Sequence, residues 1–169
     1  MKPIPDPILW TSYQVSKVIG IKILSTWVSN GIEFDSRKVK KGNIFFALPG
    51  TKSDGHNFIK DAVKSGAVAI IVNKTYKSNV YNNKLIKVDD VYNALILMAN
   101  EARNRVIKAS NIIAITGSSG KTSTKEMIKS AFIELGLTYS NPGRFNNHVG
   151  VPYSLANMLS STEFGIFEL

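Results

Sequence analysis

Two spacings of apolar residues alternate along the chain, one helical and one unbroken, and they predict helices and buried strands in turn. Over residues 11–20, Val15, Val18 and Ile19 fall on one helical face, with Thr11 placed to cap the start and Gly20 to end the run. Residues 43–48 form an apolar strand halted by Pro49-Gly50. A helix over residues 57–65, closed by Gly66, leads into residues 67–72, continuously apolar as a strand buried on both faces is. Residues 74–84 are polar and Asn-rich and predict a loop; residues 85–88 form a further short strand. This first part predicts a small α/β unit.

Asp89-Asp90 then opens a helix from Val91 to about Ile107, with Leu95, Met98, Ala99 and Ala102 at helical spacing. Two acids at a helix start favour its macrodipole and read as caps rather than metal ligands. Residues 111–115 predict a buried strand, followed by a glycine loop and a helix from about Lys121 to Leu135. A short strand over residues 137–140, a helix with Pro152 in its first turn ending near Leu159, and a strand over residues 164–169 complete the order. The fold class expected is α/β. Residues 1–88 are a small N-terminal domain, and residues 89–169 are the first part of a parallel-sheet P-loop domain. No internal repeat is visible.

Composition narrows the classes. A chain of 169 residues with 44% apolar residues can bury a core, and twelve Gly with six Pro exclude a collagen-like or low-complexity protein. With no Cys there are no disulfides, thiolate zinc sites or thiol nucleophiles. The first seven residues hold three prolines and an acid where a signal peptide places its apolar run. No apolar stretch approaches the ~20 residues of a membrane-spanning helix. A cytoplasmic protein without a membrane span is expected.

The formal charge of +9 is unevenly placed. Residues 36–87 hold eleven basic residues against Asp54 and Asp61, while the segments on either side balance. Such a segment attracts an anionic partner, nucleic acid or a phosphorylated metabolite, or is a solvated lysine surface. No aromatic-interleaved basic stripe accompanies it, which disfavours nucleic acid.

The strongest chemical signal is Thr116-Gly117-Ser118-Ser119-Gly120-Lys121-Thr122-Ser123-Thr124, set between an apolar strand and an amphipathic helix. Glycines at 117 and 120 allow the loop amides and the first helical amides to turn inward onto phosphate oxygens. Residues 117–123 are thus candidate ATP-binding residues. Lys121 is the point charge and candidate catalytic group, and the Thr122 hydroxyl is a ligand for Mg²⁺. The full Walker pattern asks for a further glycine at 115, where this chain has Ile115. Glu168 ends an apolar strand, where parallel sheets present binding groups, and is the second candidate metal ligand.

These residues resemble the Mur ligases of peptidoglycan synthesis, whose loop likewise lacks the first Walker glycine. Residues 116–125 are similar to that family's loop, including the Thr-Ser-Thr-Lys continuation. Residues 141–152, with Arg144 and Asn146-Asn147-His148-Val149-Gly150-Val151-Pro152, resemble its Asn-Asn-x-x-Gly-Val-Pro segment. Phe34-Asp35-Ser36-Arg37, Gly42 to Gly50 and Asp54-Gly55-His56-Asn57-Phe58 resemble its UDP-binding domain. The likeness is nearest to the branch that joins D-Ala-D-Ala to UDP-N-acetylmuramoyl-tripeptide.

That resemblance implies ATP and Mg²⁺ as cofactors and an acyl phosphate as intermediate. It implies that Asp35, Ser36 and Arg37 contact the UDP part, with the forked guanidinium of Arg37 suited to phosphate. Asn146 and Asn147 would position the muramoyl-peptide. His148 and His56 are weaker substrate candidates, His56 being equally suited to capping or a surface role. Family members are longer and carry a third domain, so the expectation is an inactive fragment by itself. A separately encoded C-terminal half would then be a partner, and the protein a monomer. Two alternatives stand beside this: a non-catalytic nucleotide or UDP-sugar-binding remnant, and the sibling ligase that adds the third amino acid.

Overall fold

The computed structural model describes residues 7–50, 53–78, 80–106, 111–143 and 145–169. The expectations placed on the first six residues, on Ile107 and on Arg144 lie outside these. Parallel sheets interleaved with helices make the chain α/β, as expected, in two compact units, Met1–Leu97 and Met98–Leu169.

In the first unit, β1 (Trp10–Thr11) runs into α1 (Ser12–Ile19). Thr11 Oγ1 accepts the Gln14 N–H at 3.2 Å while the Thr11 N–H donates to Gln14 Oε1 at 2.9 Å, a reciprocal cap, and Gly20 ends the helix left-handed at φ 70°. β2 (Val28–Ser29) pairs antiparallel with β1. A four-stranded parallel sheet follows in the order β3 (Gly31–Glu33), β4 (Asn43–Phe46), β5 (Ala69–Asn73), β6 (Leu85–Val88). The first three strands escape the sequence pattern because two or three residues are too few to show a period.

Between β4 and β5 the predicted single helix is a 3-10 turn, Gly55–Phe58, leading into α2 (Ile59–Lys64). β5 begins two residues later than its apolar run because the Ala67 N–H bonds back to Ala62 O at 3.0 Å. Phe45, Ala47, Ile70 and Val72 point to one side and pack with Ile59 and Ala62 of α2. Ile44, Phe46 and Ile71 point to the other side and are equally buried. Both faces are covered, which is why these strands read as unbroken apolar runs.

α3 (Val91–Arg105) crosses the division between the units. Asp90 Oδ1 accepts the N–H groups of Tyr92 at 2.8 Å and Asn93 at 3.2 Å, the expected cap, while Asp89 pairs with Lys74. The second unit then runs β7 (Ile112–Ile115), α4 (Lys121–Ile133), β8 (Thr138–Ser140), α5 (Gly150–Ala156), β9 (Phe164–Glu168). Its parallel sheet has the order β7-β9-β8. Val106, Met158 and Phe167 form its buried apolar cluster, with Ile112, Tyr139 and Leu155 against them.

The expectation that β7 is buried needs correction. Ile115 alone of its residues is buried and Ala114 is exposed, because among the described residues β7 has β9 beside it on one side alone. α5 also stops three residues short of its predicted end, where Asn157 turns its N–H onto Tyr153 O and Ser154 O. Among the described residues no helix is long and apolar enough to cross a membrane.

Candidate functional site

In the second unit the parallel strands bring three chain segments to one edge. The loop after β7 holds residues 116–120, the turn after β8 begins at Asn141, and β9 ends at Glu168. Ile115 pairs with Glu168 and Ser140 with Ile166, so all three segments leave the sheet at nearly the same level. This carboxyl edge is where open parallel sheets bind ligands.

The loop residues Gly117, Ser118, Ser119 and Gly120 are exposed. Gly120 caps α4 from the left-handed region at φ 74°, and among the described residues there is no side-chain cap hydrogen bond at the helix start. A residue with a Cβ is strained at that φ, and the uncapped N–H groups carry the positive end of the helix dipole. Lys121 folds back so that its Nζ donates to Gly117 O at 2.9 Å. Ser123 is exposed in the first turn.

Glu168 is buried, and every part of it is held. Thr122 Oγ1 donates to Oε2 at 2.9 Å and Asn146 Nδ2 donates to Oε1 at 3.1 Å. The Lys125 ammonium stands 3.8 Å from Oε2. The side chain of Asn141 binds the backbone of Glu168 as a neighbouring strand would. Its Oδ1 accepts the Glu168 N–H at 2.9 Å, and its Nδ2 donates to Glu168 O at 3.1 Å. Two candidate metal ligands that are 46 residues apart in sequence thus meet, and their hydroxyl and carboxylate oxygens suit the hard ion Mg²⁺. Among the described residues no three acids or histidines cluster as a metal cage. Mg²⁺ held through one or two protein oxygens and substrate phosphates needs none.

The predicted pair Asn146-Asn147 divides its labour. Asn146 reaches Glu168, whereas Asn147 Oδ1 accepts the N–H groups of Gly150 at 2.7 Å and Val149 at 3.2 Å and so caps α5. A Cβ on Gly150 would meet Phe145 Cα at 2.7 Å, so only glycine lets α5 start this close to the turn. His148 is exposed beside the pair.

In the first unit the turn after β3 carries Asp35, Ser36 and Arg37. Glu33, a buried acid at the strand's end, accepts the N–H groups of Phe34 at 2.9 Å and Asp35 at 3.0 Å through Oε1 and sets the turn. Arg37 forks onto Asp35, Nε to Oδ1 and Nη2 to Oδ2 both at 2.8 Å, with its side chain 86% exposed. The hydrogen bond from the Arg37 side chain, outweighing burial, holds the Asp35 carboxyl below the usual carboxylate value. Ser36 is buried in the turn.

His56 follows β4 on the same edge of that sheet. Its Nδ1 lies 2.6 Å from Asp54 Oδ1, and its Nε2 accepts the Asn73 N–H at 3.1 Å. Accepting at Nε2 leaves the proton on Nδ1, so the neutral ring ties the turn after β4 to the end of β5. The Asp54 carboxyl is held low, first by the His56 backbone N–H and then by the ring. Both ring nitrogens are engaged within the fold.

Sequence reasoning assigns no role to three polar side chains here: Glu33, Lys125 and Asn141. Only Lys125 leaves a trace in the pattern, because it lies four residues after Lys121 and so on the same helical face.

A glycine-capped phosphate loop facing a hydroxyl–carboxylate pair at the carboxyl edge of a parallel sheet defines an α/β phosphate-loop protein. Comparison with known proteins is specific about which. The family profile described as Mur ligase family, catalytic domain, matches residues 29–120, and Mur ligase middle domain matches residues 115–169. The chain belongs to the Mur ligase family. It is 41% identical over 161 residues to the UDP-N-acetylmuramoyl-tripeptide–D-alanyl-D-alanine ligase of Rickettsia prowazekii, covering 95% of this chain and 35% of that protein. The crystal structure of MurF from Acinetobacter baumannii superimposes with a TM-score of 0.80 at 30% identity, over 98% of this chain and 36% of the other. MurF ligase from Thermotoga maritima, solved in complex with ADP, gives 0.63 at 30% identity over 82% of this chain and 31% of the other. The chain spans about a third of the length of these relatives.

Proposed function

We propose that this chain supplies the UDP-sugar-binding and ATP-binding parts of a ligase that joins D-alanyl-D-alanine to UDP-N-acetylmuramoyl-tripeptide. The observation that carries the reading is the Thr122–Glu168 hydrogen bond of 2.9 Å beside Lys121 and an uncapped α4. The relatives named for this reaction support it over nearly the full length of the chain.

The amides of residues 117–123 receive the phosphates of ATP at the positive end of α4. Lys121 exchanges Gly117 O for a phosphate oxygen, a short movement of a flexible side chain. Thr122 and Glu168 are the residues that would hold Mg²⁺, which when bound neutralises charge on the transferring phosphoryl group. That phosphoryl passes from ATP to the terminal carboxylate of the tripeptide, forming the acyl phosphate as the bond to ADP breaks. The amine of D-Ala-D-Ala then attacks the acyl carbon, and inorganic phosphate leaves as the amide forms. Such a transfer needs alignment and charge neutralisation more than covalent help.

In this reading Asn146, with His148 beside it, positions the peptide carboxylate near Glu168, and Asn147 acts through the start of α5. In the first unit Asp35, Ser36 and Arg37 receive the UDP part, and the exposed Arg37 fork turns from Asp35 to a diphosphate oxygen. His56 serves this turn-bearing edge by bracing it rather than by touching the ligand.

Isothermal titration with ADP and with UDP tests the reading. Both are expected to bind, ADP more tightly when Mg²⁺ is present and UDP independently of Mg²⁺. A chain that binds neither nucleotide would sink it. ADP binding with no response to Mg²⁺ would remove the roles given to Thr122 and Glu168.

A further inference from the structure

Lys125 is a buried ammonium that the reading above leaves without a task. It is 1% exposed, deeper than Lys121, on the α4 face turned toward the end of β9. Its Nζ donates to Asn141 O at 3.1 Å and Gly143 O at 3.2 Å. Two carboxylates flank it, Glu126 Oε1 at 3.6 Å and Glu168 Oε2 at 3.8 Å. Glu126 is half-exposed, so solvent screens its charge, whereas Glu168 is buried beside the ammonium. A buried charge without a partner is strongly disfavoured, and here each of two buried charges is the other's partner.

We propose that Lys125 is a positioning residue: the resident counter-ion of Glu168, which bars a divalent cation from the Thr122–Glu168 pair until a nucleotide's phosphates arrive with it. The proposal rests on the metal-binding role given above to that pair. Its argument is electrostatic. A divalent cation reaching Glu168 Oε2 would sit close to the Lys125 ammonium in a water-poor setting, where like charges repel far more than in bulk water. The single negative charge of Glu168 is already matched by Lys125. Lys121, four residues earlier on the same face, adds a second positive charge. The phosphates of a nucleotide bring enough negative charge to reverse the balance, so cation and nucleotide enter together. The two carbonyl bonds keep the ammonium from swinging away, and they tie α4 to the turn that carries Asn146.

Titration with Mn²⁺, followed by its electron paramagnetic resonance signal with and without ADP, tests this on the whole chain. The unaltered protein is expected to bind Mn²⁺ weakly alone and roughly tenfold more tightly, or better, with ADP, and Glu168→Gln is expected to lose that gain. Lys125→Gln and Lys125→Met are expected to bind Mn²⁺ alone roughly tenfold more tightly than the unaltered chain, and Lys125→Arg to match it. Folded Gln and Met variants with unchanged or weaker Mn²⁺ binding, in a chain whose ADP-dependent gain is intact, overturn the proposal. Absence of any ADP-dependent gain in the unaltered chain overturns the metal role itself, and the two failures are distinct. Should both Lys125 variants lose a cooperative thermal transition, Glu126→Gln carries the test on the exposed side of the same ammonium. It leaves Lys125 with Glu168 as its nearest carboxylate, and Mn²⁺ affinity without ADP is expected to fall about twofold. No fall overturns the proposal.

Discussion

The two sheets of this protein are both parallel, yet they are held by different means. In the first unit, Phe45, Ile44, Ile70 and Ile71 are fully buried and the strands are covered on both faces. Its candidate binding turn, at Asp35 to Arg37, is braced by Glu33 and exposes Arg37, while Ser36 is buried. In the second unit the buried apolar cluster is smaller among the described residues, and β7 is only partly buried. There the well-buried centre at the carboxyl edge is polar: Lys125, Asn141 and Glu168. One unit separates stability from its site, and the other builds the site from the groups that order it. The lesson is that a substitution in the first site should be mild for the fold, whereas one in the second disturbs fold and site together.

The most damaging break of that comparison is Phe45→Ala, a cavity at a fully buried ring. It is expected to cost the first unit about 3–5 kcal/mol. Thermal unfolding should reveal an early transition while ADP binding by the second unit persists; loss of ADP binding in step with it would mean the units are not separable. Lys121→Ala is expected to weaken ADP binding about 100-fold, about 2.7 kcal/mol, with the thermal transition unmoved, because its ammonium donates to an exposed loop carbonyl. Titration calorimetry decides it.

Asn141→Ala sharpens the contrast. It removes three side-chain hydrogen bonds and leaves the Glu168 N–H and carbonyl without their rung, for an expected cost of about 2 kcal/mol in chemical denaturation. A cost below about 0.5 kcal/mol would refute the claim that polar groups order this unit.

The smallest effect belongs to the exposed turn. The Asp35 carboxyl is held below its ordinary value of about 3.8 by the Arg37 side chain. A depressed carboxylate contributes stability that is full above the unfolded value and is lost as pH falls through the lower folded value. Asp35→Asn should therefore lower stability at pH 7 only slightly, because the Arg37 end of the pair is exposed and screened by solvent, and should flatten the acid decline below about pH 4 by the same small amount. Comparing the acid unfolding curves of the two proteins shows whether it does.

How much of this was legible in the chain differs by residue. The phosphate loop could be found because its parts are contiguous: strand, glycines, Lys121, Thr122 and helix follow one another in nine or ten residues. The place of Glu168 at the carboxyl edge is legible because an acid ending an apolar strand of a parallel sheet has one place to be. Asp90 as a cap needed only its neighbours. Asn146 and Asn147 read alike in the chain, and only the fold separates them, turning the Asn147 side chain onto the α5 backbone and that of Asn146 onto Glu168. Glu33 carries no mark in the chain, and its burial depends on β3 pairing with β4, a strand ten residues away.

What the sequence determined by itself is everything local: the caps of α1 and α3, the unbroken apolar strands β4 and β5, and the loop chemistry of residues 116–124. The tertiary structure alone decided which residues surround Glu168. Thr122, Lys125, Asn141 and Asn146 reach it from two other segments, up to 46 residues away, because β7, β9 and β8 run parallel and deliver their carboxyl ends to one edge. Lysine and asparagine are surface residues by default. Burial here followed from partners that only the closed sheet brings within hydrogen-bonding range, and no spacing in the chain encodes that distance.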